Sequence, residues 1–344
     1  MGDRDLVLVT GGSGYIAGFC IAQLLNDGWD VRTTVRNVSK APDVRRSLAK
    51  LSERAGDVVF LTADLNDDAG WRRAVGGCDF VLHVASPLPS SNPKSDEELI
   101  RPAREGALRV LSASRDAGVK RVVMTASTAA LSYGHGSRHE PFTERDWSDA
   151  TNLKDTSGYE RSKTLAERAA WDWAASEGGS LELTTICPGA VLGPVLGADH
   201  SASIDIVKKL MDGSLPGLPR FGWPLVDVRD VADLHIRAMT HPAARGQRYI
   251  GAGPFFWMSD IAQVLRSQAP QIARRVPKRV LPSWMVRLSA AFDPVIKGRL
   301  FELDKERPVS AEKARHDLLW TPRPNADAII ATALSLIDEG IVTV

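Results

Sequence analysis

Leu6–Val7–Leu8–Val9–Thr10–Gly11–Gly12–Ser13–Gly14–Tyr15–Ile16–Ala17–Gly18 reads as a buried strand, a glycine turn and the opening of a helix. The helix is announced by Ile16, Cys20, Ile21, Leu24 and Leu25, which recur at helical spacing. Strand, Gly-x-x-Gly-x-x-Ala and helix in this order suit a dinucleotide diphosphate. Gly11 permits the tight turn, Gly14 lets backbone N–H groups approach the phosphates, and the small Ala17 lets helix and strand pack closely. The diphosphate then sits at the positive end of the helix dipole. Gly11, Gly14, Tyr15 and Ile16 are therefore the first candidate cofactor contacts.

Outward from this segment, strand and helix patterns alternate. Apolar, Val-rich strands are predicted at Asp5–Thr10, Asp30–Val35, Val58–Thr62, Phe80–Val84, Arg121–Thr125 and Leu181–Ile186. Long helices are predicted over about Asp96–Ala117 and Gly158–Ser176. This alternation implies an α/β fold, a doubly wound parallel sheet of Rossmann type. The regular order stops after Pro188. Residues 1–193 are read as the nucleotide-binding domain and 194–344 mainly as a smaller, mostly helical substrate lobe. A strand-plus-helix unit at Leu225–Met239 is expected to fold back onto the sheet, and a further strand is read at Arg248–Ile250.

A chain of 344 residues with 44% apolar and 25% charged residues is an ordinary globular composition. Its formal net charge of +1 offers no electrostatic case for nucleic acid or a membrane surface. No apolar run reaches the ~18 residues of a membrane helix. The start of the chain shows no secretory pattern, and Cys20, Cys78 and Cys187 form no Cys-x-x-Cys pair, so a cytoplasmic, reducing location is expected. His135 and His139 stand four apart without further ligands, and no metal site is expected.

The chemistry is carried by Tyr159–Glu160–Arg161–Ser162–Lys163. At spacing four on a helix, Tyr159 and Lys163 share a face. A phenol beside an ammonium becomes a better acid and can protonate a developing alkoxide. Thr125–Ala126–Ser127–Thr128 ends the fifth strand, where ligands of open parallel sheets bind. A hydroxyl there can polarise a substrate carbonyl; Ser127 is the candidate and Thr128 the alternative.

With these residues, the chain resembles the extended short-chain dehydrogenase/reductases. Arg121–Val122–Val123–Met124–Thr125–Ala126–Ser127, His83–Val84–Ala85–Ser86–Pro87, Cys187–Pro188–Gly189–Ala190–Val191–Leu192–Gly193–Pro194 and Val226–Asp227–Val228–Arg229–Asp230–Val231–Ala232 are similar to the dihydroflavonol-reductase-like branch, which includes yeast and bacterial aldehyde and ketone reductases. The resemblance implies that Ser127 positions the carbonyl, Tyr159 donates the proton, and Lys163 tunes Tyr159 and holds the nicotinamide ribose. It also implies hydride delivery from the nicotinamide C4. Asp64 and Leu65 after the third strand, Val84, Ala85 and Ser86 after the fourth, Thr125, and Pro188, Gly189 and Val191 after the sixth are implied cofactor contacts. Ser203 is a further candidate for a phosphate.

Cofactor choice follows from charge. An acidic residue after the second strand suits NADH, because it accepts from the ribose 2′-hydroxyl. Here that strand ends in Arg36, with Lys40 following, and two cations suit the 2′-phosphate of NADPH. Pro87, Leu88, Leu131, Tyr133, Leu192, Phe221 and Trp223 are the candidate pocket residues, and their apolar character points to an apolar or aromatic carbonyl substrate. The reading is an NADPH-dependent carbonyl reductase, monomeric or homodimeric. A 3β-hydroxysteroid dehydrogenase, a nucleotide-sugar epimerase or dehydratase, and an NADPH-sensing binding protein are the alternatives. The epimerase pattern of an Asn and a Tyr-Gly-Pro after the sixth strand is missing from Cys187–Pro194.

Overall fold

The computed structural model describes residues 5–86, 95–197 and 201–343. Seven strands, β1 (Leu6–Val9), β2 (Asp30–Val35), β3 (Val59–Thr62), β4 (Phe80–His83), β5 (Arg121–Thr125), β6 (Glu182–Pro188) and β9 (Arg248–Gly251), form one sheet in the order β3-β2-β1-β4-β5-β6-β9. Every neighbouring pair in it is parallel. The order reverses between β1 and β4, which opens a crevice beyond the carboxyl ends of the strands. A small second sheet holds β8 (Gly222–Asp227) between β7 (Ala190–Leu192), parallel to it, and β10 (Phe255–Trp257), antiparallel.

The helices that follow the first strands are α1 (Tyr15–Asn26), α2 (Ala41–Leu48), α3 (Trp71–Val75), α4 (Glu97–Asp116) and α5 (Gly158–Ser176). The remainder are α6 (Ile204–Met211), α7 (Val228–Thr240), α8 (Met258–Gln268), α9 (Ser283–Ser289), α10 (Pro294–Arg299), α11 (Glu312–Leu318) and α12 (Asn325–Asp338). Strand residues alternate between two cores, as the pleat requires. Leu8, Val81 and Val122 meet Val110 and Leu111 of α4 and Ala170 and Trp173 of α5. Val7, Val9, Leu82 and Val123 meet α1, α7 and part of α2 on the other face. Both faces are covered, which explains the nearly unbroken apolar strands.

A third core belongs to the lobe. Leu192 and Leu225 of the small sheet bury Ile204, Val207, Ile261, Leu265, Ile329 and Leu336 from α6, α8 and α12. The unit read at Leu225–Met239 divides between the layers. Its strand, β8, joins the small sheet, while Val228, Val231 and Leu234 of α7 pack onto the main sheet beside α1. The chain then returns to the main sheet as β9, beyond residue 193, before re-entering the lobe. Cys20, Cys78 and Cys187 are free and buried. Among the described residues, no helix is long and apolar enough to cross a membrane, and no three His, Cys, Asp or Glu side chains gather as metal ligands.

Candidate active site

The turn after β1 is open on its outer side. Gly11 has φ +73°, and a Cβ there would stand 3.0 Å from the Cα of Ala85, so both the dihedral and the space demand glycine. Gly14 begins α1 in extended conformation with no side-chain cap, leaving the first N–H groups of the helix directed outward from an exposed Ser13–Gly14 edge. Ala17 is fully buried behind it. Tyr15 and Ile16 are half-buried at the same end. An uncapped helix end with an adjoining glycine turn fits a diphosphate.

At the end of β2, Arg36 and Lys40 are both exposed, and Asn37 caps the short turn between them by accepting from the Ser39 N–H at 2.9 Å. No carboxylate stands among residues 36–40, so the residues present fit a cofactor with a 2′-phosphate. Past β3, the Asp64 carboxylate accepts from the Asn66 N–H, and Leu65 packs into the core against α4. Past β4, the Ala85 N–H donates to Thr10 Oγ1 at 3.0 Å, and Val84 and Ala85 are half-buried. Thr125 is committed elsewhere: its hydroxyl lies 2.7 Å from Nε2 of His235 on α7. Pro188 and Val191 are buried, Gly189 is half-buried between them, and Ser203 precedes α6 without capping it.

Tyr159, Lys163 and Ser127 come together. Tyr159 is the second residue of α5, and a capping box holds that turn: Ser157 Oγ accepts from the Tyr159 N–H at 3.2 Å, and Glu160 Oε2 accepts from the Ser157 N–H at 2.8 Å. The Tyr159 phenol is set beside Ser127, which favours its anion, and the Ser127 Oγ accepts from the Ala129 N–H at 3.1 Å. Thr128 is buried instead, so the hydroxyl that meets the phenol is that of Ser127. Lys163 Nζ lies 5.9 Å from the centre of the Tyr159 ring and donates to Ser86 Oγ at 2.9 Å.

The electrostatics differ from the reading of the sequence. Tyr159 keeps 39% of its surface exposed, and the burial of the rest raises the phenol above its ordinary value of 10.0. Ser127 opposes the rise, Glu160 adds to it, and the cation that pulls the phenol down is Arg299. Lys163 sets its ammonium on Ser86 beside the Tyr159 ring, and burial lowers it to about 8, with Glu167 opposing the fall. His83, behind Lys163, is pushed down to about 3 by burial and by the Lys163 charge, so it adds no second positive charge.

The pocket candidates are dispersed. Pro87 and Leu88 lie outside the described residues. Leu131 and Leu192 have no exposed surface, one in the main core and the other in the lobe core. Phe221 and Trp223 stack at 6.4 Å and pack with Leu281, Val286, Ile296 and Leu300. The Tyr133 hydroxyl donates to Glu302 Oε1 at 3.0 Å. Glu302 and Arg299 come from the far end of the chain, where no motif drew attention to them. Arg299 Nη1 lies 3.4 Å from Glu302 Oε1 and 3.9 Å from Glu160 Oε1. The role of Glu160 was legible in Ser157-x-x-Glu160, the capping-box spacing.

Residues 7–251 match the model of the NAD dependent epimerase/dehydratase family. The chain belongs to this family. It is an extended short-chain dehydrogenase/reductase, and its similar relatives are reductases of the dihydroflavonol-reductase-like branch. Anthocyanidin reductase ((2S)-flavan-3-ol-forming) of Vitis vinifera is 32% identical over 284 residues, covering 78% of this chain and 82% of the relative. Cinnamoyl-CoA reductase 1 of Arabidopsis thaliana is 35% identical over 268 residues, covering 77% and 75%. The solved yeast methylglyoxal/isovaleraldehyde reductase, complexed with NADPH, superposes with a TM-score of 0.79 at 24% identity, over 98% of this chain and 100% of that one. This extended reductase is thus an NAD(P)-dependent oxidoreductase by family, with the fold of the carbonyl reductases.

Proposed function

We propose that the protein is an NADPH-dependent carbonyl reductase that converts an apolar or aromatic aldehyde or ketone to the alcohol. The observation that carries this reading is the Tyr159 phenol, set beside Ser127 at the carboxyl end of the sheet and one helical turn from Lys163. Ser127 orients the substrate carbonyl by donating to its oxygen. Tyr159 gives its proton to that oxygen as the carbonyl carbon is reduced. Lys163 binds the ribose next to the nicotinamide and supplies positive charge close to the forming tyrosinate. Gly11, Gly14 and the first N–H groups of α1 hold the diphosphate, and Arg36 and Lys40 hold the 2′-phosphate. When bound, NADPH supplies the hydride. The relatives named above are reductases by name, which supports a reductive rather than an epimerising role.

The test is NADPH oxidation over a panel of aldehydes, α- and β-ketoesters, aryl ketones and a flavanonol. Turnover is expected with at least one apolar carbonyl, and Tyr159→Phe is expected to bind NADPH normally while losing about 10²–10⁴-fold in kcat. NADPH binding without consumption across the panel favours the sensor reading. A Tyr159→Phe enzyme of undiminished rate removes Tyr159 as the acid.

A further inference from the structure

The lobe contributes an ionic cluster to the catalytic turn. Arg299, at the end of α10, has one guanidinium nitrogen 3.4 Å from Glu302 Oε1 and 3.9 Å from Glu160 Oε1. Both carboxylates are buried, with side chains 3% and 2% exposed, whereas the Arg299 side chain is 48% exposed. Glu160 directly follows Tyr159 and carries half of the capping box that orders the turn. Glu302 Oε1 also accepts from Tyr133, while its Oε2 is buried with no hydrogen-bond partner. Behind this cluster, Arg307 stacks over the Tyr133 ring at 4.3 Å and donates to Asp155 at 2.6 Å, so the lobe segment is anchored on the loops below the site.

We propose that Arg299 is a positioning residue of the reductase site: from the lobe it grips Glu160 and Glu302 and offsets the Glu160 charge next to the Tyr159 phenol. The proposal rests on Tyr159 being the proton donor. A carboxylate near the phenol with no cation to offset it disfavours the phenol's anion, and a proton donor whose anion is disfavoured is a slow one. The groups that face the phenol among the described residues are Ser127 from the loop after β5, Glu160 and Lys163 from α5, and Arg299 from the lobe, with Glu302 and Tyr133 one step further out. The direction of the Tyr159 shift agrees: Glu160 raises it and Arg299 lowers it. Arg299 therefore acts through the phenol and touches neither substrate nor cofactor in this scheme.

The phenol can be read directly. The chain has four tyrosines, and Tyr15, Tyr133 and Tyr249 are held high by burial together with the carboxylates of Asp227, Glu302 and Asp317. Tyrosinate absorbance during an alkaline titration, taken as the difference from Tyr159→Phe, isolates Tyr159 without any turnover. Arg299→Gln is expected to move its midpoint up by about one pH unit. It is also expected to cut kcat about tenfold at neutral pH, with NADPH affinity measured by fluorescence unchanged. Arg299→Lys should stay near wild type in both readouts, and Arg299→Gln combined with Glu160→Gln should return the midpoint. Glu160→Gln alone, which keeps the capping box, should lower the midpoint, and this arm serves if Arg299→Gln does not fold. An unmoved midpoint in Arg299→Gln, or in Glu160→Gln where the former fails to fold, overturns the proposal. So does an Arg299→Lys enzyme as impaired as Arg299→Gln. A Tyr159→Phe variant that still turns over defeats the reductase mechanism instead, and the titration still reports on Arg299.

Discussion

Lys163 sits where its charge is most easily lost. Burial brings its ammonium down to about 8, so the cation is present below that pH and disappears as the pH rises through it. In the reductive direction, kcat/KM for NADPH should be flat below about pH 8 and fall about tenfold per unit above it, since this parameter reports groups of the cofactor-free enzyme. A profile flat to pH 10 contradicts the assignment. Arg36 carries the second residue-scale expectation. Arg36→Asp replaces a 2′-phosphate partner by an acceptor for the 2′-hydroxyl, so the kcat/KM ratio of NADPH to NADH should drop by at least about tenfold. Unchanged preference counts against Arg36. At this scale the sequence speaks through short motifs. Tyr159 and Lys163 were legible because a helix places residues four apart on one face, and Gly11 because its neighbours formed a strand–turn–helix. Arg299 was illegible: it meets Glu160 across a separation of 139 positions, in a segment without periodicity of its own. The direction of the Tyr159 shift was illegible as well, because desolvation depends on what encloses the oxygen and not on spacing along the chain.

The catalytic helix depends on its first turn. Tyr159 is its second residue, so fraying displaces the phenol before it affects the remaining turns. Ser157 resists this by accepting from the Tyr159 N–H while Glu160 reaches back to the Ser157 N–H. Ser157→Ala should cost about 1 kcal/mol in urea unfolding and lower kcat more than it changes NADPH affinity. A variant equal to wild type in both shows that packing alone holds the turn. Both long helices were readable, and α5 has the bounds read for it, because each pairs an apolar stripe with clear end signals. The three-residue strands β7 and β10 offered no such pattern. They exist because β8 lies between them and supplies hydrogen bonds to both, a tertiary fact.

Across the molecule, α5 is bound to the last strand of the sheet by a buried ion pair. Arg248 of β9 lies 2.8 Å from Glu167, which also accepts from Thr185, and the guanidinium stacks 3.9 Å over Trp147. With Glu167 fully buried, Arg248→Met leaves a carboxylate without compensation and should destabilise the fold by about 3–5 kcal/mol. Arg248→Met with Glu167→Leu should recover much of that loss in the same denaturant titration; no recovery means that the pair matters through its hydrogen bonds to the neighbouring loops. The doubly wound architecture was legible from strand–helix alternation, whereas the pairing of β9 with β6 required the folded chain. That pairing has a consequence for protein engineering. A fragment ending at residue 193 would keep the phosphate cradle yet leave β6 as a naked sheet border and strip α1 of its neighbour α7. Grafting a foreign lobe onto this reductase therefore calls for two junctions, one on each side of the returning strand, and a chimera spliced at a single point would tend to aggregate through that border.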